Sequence, residues 1–284
     1  MKILVVGSTS ILALALKERL TRSHTVHLAG RRRADVHVDL ADWACDVDLP
    51  SRYDVVVHAA ADFGGAEPVD LVRAEAVNAA GALAVCRLAQ RGGARRFVLI
   101  STAFATLGEN DPFFGIYALS KRHAEEGAAL FCREYDMGLA VLRPTQIYDA
   151  AGRCRRHQAF LYMAADHAER GEDIVIFGEH DPRRSYVFLD DVTEVIARAV
   201  EREVTGTYLC AHPESPRLSE VAEAALKAFG RGGRVRFDAS RTGVPSLPAM
   251  TDARIYRLVD YEPVVDISKG MELIRDSRRS VASR

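Results

Sequence analysis

Lys2-Ile3-Leu4-Val5-Val6-Gly7-Ser8-Thr9-Ser10-Ile11-Leu12-Ala13 is the stretch on which the fold turns. An apolar, β-branched run stops at a glycine, and from Ile11 to Leu20 the apolar residues recur at helical spacing. Strand, tight turn and helix therefore follow one another at the start of the chain. Gly7, Ser10 and Ala13 put small residues at spacing three, where a dinucleotide-binding turn brings its backbone close to a pyrophosphate. Only the first is glycine, and this GxxSxxA pattern also suits an ordinary βα turn. Gly7, Thr9, Ser10 and Ile11 are the candidates for holding phosphate on the loop amides.

The next run, Thr25 to Ala29, reads as a second strand and ends in Gly30-Arg31-Arg32-Arg33. An acidic residue at this place accepts hydrogen bonds from the adenosine ribose of NAD, whereas a 2′-phosphate requires that carboxylate gone and a guanidinium nearby. Gly30 followed by Arg31 and Arg32 favours NADP(H), with NAD(H) possible, although a loop of arginines is also what a solvated turn looks like. Val36 to Leu40 reads as a third strand, with Asp39 placed for the adenine edge. Asp54 to Ala61 reads as a fourth, and Ala59, Ala60 and Ala61 are small enough for a cofactor to lie against the backbone. His58, inside that apolar run, reads as a satisfied core histidine. Val69 to Gln90 has a helical pattern with Asn78 inside it. Buried strands alternating with helices predict an α/β fold with a parallel sheet covered on both faces.

The chemistry concentrates between Arg96 and Glu126. Phe97 to Ile100 reads as a buried strand with Ser101 and Thr102 at its carboxyl end, and Tyr117-Ala118-Leu119-Ser120-Lys121 opens a helix. Positions i and i+4 share a helix face, so a phenol and an ammonium lie side by side with a hydroxyl from the strand end. That set suits moving a proton on or off an alcohol or ketone. A Tyr and a Lys on an exposed face are the commoner meaning of YxxxK alone, and the upstream Ser-Thr pair is what favours chemistry.

The totals narrow the class. The 284 residues, 48% of them hydrophobic, suffice for a sizeable core. With 38 Lys+Arg against 39 Asp+Glu the net charge is -1, which leaves no global field for nucleic acid or an anionic membrane. No apolar run approaches the roughly 20 residues that span a bilayer, and no signal-peptide pattern opens the chain, so a cytoplasmic protein is expected. Cys45, Cys86, Cys132, Cys154 and Cys210 lack CxxC spacing and read as reduced thiols, with no metal site.

In this order, Gly7 to Ala13, Asp39-Leu40, His58 to Ala61, Ser101-Thr102, Tyr117-x-x-x-Lys121, Leu142 to Tyr148 and Arg184 to Val192 resemble the extended short-chain dehydrogenase/reductases, in particular the nucleotide-sugar epimerase/dehydratase/reductase branch. The tail from Leu258 to Pro263 and Ile267 to Ile274 is similar to that branch as well. The resemblance implies a Rossmann-type doubly wound parallel sheet over residues 1–145 and a smaller substrate-binding portion over 146–284, with some segments returning to the sheet and one shared active-site cleft. It implies catalytic Thr102, Tyr117 and Lys121. Tyr117 exchanges the proton, Lys121 tunes it and holds the nicotinamide ribose, and Thr102 orients the substrate oxygen. It adds Leu40, Asn78, Ser101 and Pro144 to the cofactor set, and Gln146 and Arg184 to the substrate set. Arg184 is assigned to the nucleotide diphosphate, since a guanidinium grips two phosphate oxygens; pairing with Asp181 is the competing reading. Arg155, Arg156 and His157 are equally compatible with a nucleotide pocket and a solvated loop. Relatives pair through helices corresponding to Val69–Gln90 and Tyr117–Tyr135, which implies a homodimer with Leu130 and Phe131 as contact candidates.

Within that branch, dehydratases resemble Thr-Asp-Glu after the strand, and reductases that also epimerise resemble a cysteine two positions beyond the serine. Here Ala103-Phe104 follows Thr102. The arginines after Gly30 then favour an NADP-dependent 4-ketoreductase of a nucleotide-linked deoxysugar. A 4-epimerase with tightly bound NAD is the alternative, and a non-catalytic NADP-binding redox sensor a more remote one.

Overall fold

The computed structural model describes residues 1–41, 47–248 and 250–282, so Cys45 lies outside the described residues. In chain order the strands are β1 (Lys2–Val6), β2 (Thr25–Gly30), β3 (Val36–His37), β4 (Val55–His58), β5 (Arg96–Ile100), β6 (Gly138–Pro144), β7 (Gln146–Tyr148), β8 (Ile174–Phe177), β9 (Tyr186–Phe188), β10 (Gly206–Cys210) and β11 (Val235–Asp238). The helices are α1 (Ile11–Leu20), α2 (Pro68–Glu75), α3 (Gly81–Arg91), α4 (Ile116–Glu134), α5 (Ala159–Arg170), α6 (Leu189–Glu201), α7 (Leu218–Phe229), α8 (Arg254–Val259) and α9 (Ile267–Ala282).

The chain forms two compact units. The first comprises Met1–Pro144, Thr193–Cys210 and Arg254–Tyr261. Its sheet has, among the described residues, seven strands in the order β10-β6-β5-β4-β1-β2-β3, and every neighbouring pair is parallel. Ile3 to Val6, Val55 to Val57 and Phe97 to Leu99 are buried throughout, as strands covered on both faces must be. The chain winds outward from β1 through β2 to β3 and then crosses back to β4. The switch point, where such folds bind ligands, thus lies beyond the carboxyl ends of β1 and β4. Gly7 stands there at φ 121°, and a β-carbon on it would lie 2.8 Å from Ala60 N. No larger residue fits that approach without moving the backbone.

Two strands are shorter than the sequence pattern predicts. β3 ends at His37 because the Asp39 carboxylate accepts from Ala41 N at 3.0 Å and turns the chain, while Val38 and Leu40 remain in the core. β4 ends at His58, with Ala59 N donating to Val6 O at 2.9 Å; beyond it β1 has already turned at Gly7 and offers no ladder. The helix predicted over Val69 to Gln90 is present but contains a π-helical turn, Ala76–Ala80, between α2 and α3. Arg19 joins α1 to Glu194 and Glu201, at 2.6 and 3.0 Å. Its hydrogen bond to Glu194 holds that carboxyl down at about 2.

The second unit comprises Thr145–Val192, Ala211–Ala253 and Glu262–Arg284. It contains two small parallel sheets, β7 with β9 and β8 with β11. Arg278 ties α9 to α5 through Asp166 at 2.7 Å and Glu169 at 2.6 Å. The described cysteines, Cys86, Cys132, Cys154 and Cys210, are buried, and none is in a disulfide among the described residues. Among the described residues no helix is long and apolar enough to cross a membrane, and no group of three or more His, Cys, Asp or Glu could hold a metal ion.

Candidate active site

Strand β5 delivers Ser101 and Thr102 to the carboxyl edge of the sheet, and α4 starts at Ile116, so Tyr117 lies in its first turn and Lys121 in its second. Thr102 caps the short 3-10 segment Ala103–Thr106, its Oγ1 accepting from Phe104 N at 3.3 Å. Arg122 clamps that segment to α4, donating to the carbonyls of Ala105, at 2.9 Å, and Leu107. Thr102 and Tyr117 are thereby brought close enough for the Thr102 hydroxyl to act on the Tyr117 phenol. The hydroxyl, phenol and ammonium expected to converge do share one locality.

The electrostatics differ from the expectation. Burial pushes the Tyr117 phenol up to about 12, and the neighbouring Thr102 hydroxyl works in the opposite direction. Lys121 is 1% exposed, and its Nζ donates to Ile100 O at 2.6 Å. Burial brings its ammonium down to about 8, against the pull of Glu125. His58 is buried as predicted, but neither ring nitrogen has a hydrogen-bond partner among the described residues, so it is not the satisfied core histidine expected. Desolvation, with the Lys121 charge adding to it, carries His58 down to about 3 and keeps it neutral.

Several neighbours escaped the sequence reading. Phe63 stacks on the Tyr117 ring with centroids 4.7 Å apart, although half of it is exposed. Its loop is pinned by Asn78: the amide Nδ2 donates to Asp62 O at 2.7 Å and Ser120 Oγ at 2.9 Å, and Oδ1 accepts from Asp62 N at 2.8 Å. Asn78, expected at the cofactor, is here the clamp that joins this loop to α4. Ser101 Oγ is likewise engaged, donating to Glu125, which Arg143 also grips. Nothing local in the sequence marks Phe63. Glu125 could have been found, since it lies one turn beyond Lys121 on the same helix face.

Residues 3–211 match the NAD dependent epimerase/dehydratase family. The chain belongs to that family. The dTDP-4-dehydro-6-deoxy-D-allose reductase of a Streptomyces species is 30% identical over 153 residues, 52% of this chain and 45% of that protein. The chain thus spans about half the length of the curated relatives it matches. The UDP-glucose 4-epimerase of Thermotoga maritima, solved with UDP-glucose, superposes with TM-score 0.79 at 21% identity, over 99% of this chain and 100% of that one. RMD from Pseudomonas aeruginosa, solved with NADPH, superposes with TM-score 0.77 at 18% identity, over 98% and 99% of the two chains.

The candidate cofactor residues of this chain gather at strand ends: Gly7 to Ile11 after β1, Gly30 to Arg32 at the end of β2, Asp39 and Leu40 after β3, Ala59 to Ala61 after β4, Ser101 after β5 and Pro144 at the end of β6. Ser10, standing where glycine is usual, caps α1 through its side chain, which accepts from Ala13 N at 3.4 Å. Gly30 has a packing reason as well, since a β-carbon there would run into Ser8. Ser8 Oγ in turn donates to Arg32 O at 2.5 Å and fixes the arginine loop, in which Arg31, Arg32 and Arg33 are exposed.

In the second unit, Gln146 Nε2 donates to Gln158 Oε1 at 3.1 Å. Arg184 is 8% exposed and donates to Arg183 O and Pro245 O, each at 2.8 Å. Asp181, weighed as its partner, accepts from Ser219 N at 3.1 Å and Ser219 Oγ at 2.6 Å. Asp149 is buried and organises the 150s loop, accepting from Arg153 Nε at 2.9 Å, Cys154 N at 3.0 Å and Tyr162 OH at 2.8 Å. Arg155 forks onto Asp166 at 2.5 and 2.9 Å.

Proposed function

We propose that the protein is an NADP(H)-dependent reductase of a nucleotide-linked 4-keto-deoxysugar, with Tyr117 as proton donor. The observation that carries this reading is the placement of Tyr117 one turn before the buried Lys121 on α4, with the Lys121 Nζ on the carbonyl of Ile100, two residues before Thr102. The cofactor supplies a hydride to the carbonyl carbon when bound. Tyr117 gives its proton to the carbonyl oxygen, and Thr102 hydrogen-bonds and orients that oxygen. A phenol pushed up to about 12 is protonated at neutral pH, the state in which a reduction needs it. Ala103 and Phe104 carry no acid or thiol beside Thr102, which disfavours dehydration and two-carbon epimerisation. Arg184 holds the diphosphate of the substrate and Gln146 its sugar.

The residues suit a dinucleotide. Gly7, at φ 121° and without a side chain, lets β1 turn hard against the Ala59–Ala60 backbone at the switch point, and α1 begins directly behind that turn with its positive end at the same edge of the sheet. Arg31 and Arg32, on a loop held by Ser8, fit a 2′-phosphate. Titration of the purified protein is expected to show NADPH bound at least about tenfold more tightly than NADH, roughly 1.4 kcal/mol. Oxidation of NADPH with dTDP-4-dehydro-6-deoxy-D-allose as the trial substrate is expected alongside. Equal affinities, or NAD retained through purification, would overturn the reductase reading in favour of a 4-epimerase. The Thermotoga maritima epimerase, alike over nearly the whole chain, is what keeps that second reading in view.

A homodimer formed through α2, α3 and α4 belongs to the same reading. Val69 and Val72 on α2, Leu83 on α3 and Leu130 on α4 are exposed apolar residues on those helices. Sedimentation at micromolar concentration is expected to show a dimer, and a monomer alone would remove this part.

A further inference from the structure

Glu125 is 7% exposed, and the roles assigned above to Thr102, Tyr117 and Lys121 make no use of it. It sits four residues after Lys121 on α4, so Tyr117, Lys121 and Glu125 form one row along the helix. Its Oε1 accepts from Ser101 Oγ at the end of β5 and from Arg143 Nε on β6 at 2.9 Å, and its Oε2 accepts from Arg143 Nη2. One carboxylate therefore joins the helix that bears the tyrosine to the two strands behind it. A buried pair that only joined α4 to β6 would contribute little net stability, because desolvation offsets most of the Coulomb gain. Its placement beside a buried ammonium gives it a second effect.

We infer that Glu125 is a positioning residue acting through Lys121: its carboxylate, gripped by Arg143 and Ser101 one helical turn from the buried ammonium, keeps the lysine charged. The groups around Lys121 are few. Ile100 O accepts its hydrogen bond at 2.6 Å, neutral His58 on β4 lies within reach of its charge, Tyr117 precedes it by one turn, and Arg143 reaches it only through Glu125. Of these, Glu125 is the one that raises the ammonium against burial. Without that carboxylate the lysine loses its proton at lower pH. The inference rests on the proposed roles of Tyr117 and Lys121 only for its effect on turnover, since the effect on Lys121 itself is independent of any reaction.

Two measurements on the full chain test it. Urea unfolding across pH reads Lys121 directly: the stability gained with rising pH, as the folded chain sheds this proton before the unfolded one does, is expected to begin about one pH unit lower in Glu125→Gln than in the parent. Glu125→Asp, which keeps the charge, is expected to stay within about 0.3 unit of the parent. The alkaline limb of NADPH-dependent reduction of dTDP-4-dehydro-6-deoxy-D-allose is expected to move in the same sense and by the same amount. An unmoved onset in folded Glu125→Gln, or an Asp variant displaced as far as the Gln one, would overturn the inference. If Glu125→Gln does not fold, the double variant with Arg143→Met, which leaves no unpaired guanidinium, carries the same unfolding test and the same two outcomes. Absence of turnover in the parent would count against the proposed function and leave the unfolding test standing.

Discussion

Tyr117→Phe is expected to lower turnover about a thousandfold, roughly 4 kcal/mol of barrier, while the affinity for NADPH changes by less than about threefold. The substitution removes one oxygen. The phenyl ring keeps its stack on Phe63, so the local packing is retained. Thr102 keeps Phe104 N on its Oγ1, and stability should fall by no more than about 1 kcal/mol. What disappears is the group placed to give a proton to the substrate oxygen. Single-turnover kinetics with NADPH and a 4-keto-deoxysugar nucleotide, beside a fluorescence titration of the cofactor, separate the two effects. A variant that retains a tenth of the parent's rate would sink the assignment of Tyr117.

Lys121→Met is expected to act in opposite directions on activity and stability. Activity should fall at least about a hundredfold, because the ammonium no longer supports the proton donor. Stability at pH 7 should rise by about 1–2 kcal/mol, since the variant replaces a buried charge by an apolar side chain of similar length and the lost hydrogen bond to Ile100 O recovers only part of the difference. The sign follows from linkage. The folded chain releases the Lys121 proton near 8, against 10.5 for an ordinary lysine. Between those values the unfolded chain binds more protons, so the stability of the parent climbs with pH through that window. Above about pH 10 the climb is opposed by Tyr117, whose raised phenol keeps its proton in the folded chain while an unfolded tyrosine loses it. Urea unfolding from pH 7 to 10 should show the climb in the parent and its absence in the variant. Equal slopes would mean that Lys121 is not a strained charge.

Both predictions concern a row of side chains that sequence spacing could outline only in part. Tyr117 and Lys121 were legible because one helical turn separates them, and Ser101-Thr102 because a buried strand ends there. The surroundings that set their protonation were not. Phe63 reaches Tyr117 from a loop more than fifty residues upstream, held by Asn78, and Arg143 reaches Glu125 from a strand of its own. Such contacts depend on which loops the sheet order brings together, and no spacing along the chain records that.

The amino-acid sequence by itself determined the α/β class, the parallel sheet and the run of short motifs at the strand ends. These follow from apolar periodicity and glycine placement, which act over a few residues. It also supported the family, borne out by the match over residues 3–211. Only the tertiary structure decided how the ionisable groups behave. Burial raises Tyr117, lowers Lys121 and leaves His58 neutral, without a hydrogen-bond partner among the described residues. Desolvation is a property of everything packed around a group, so it becomes readable only once the chain has closed over it. The same holds for Gly30: its missing carboxylate suggests a cofactor preference in the sequence, and the fold adds Ser8 lying where a side chain would have to go.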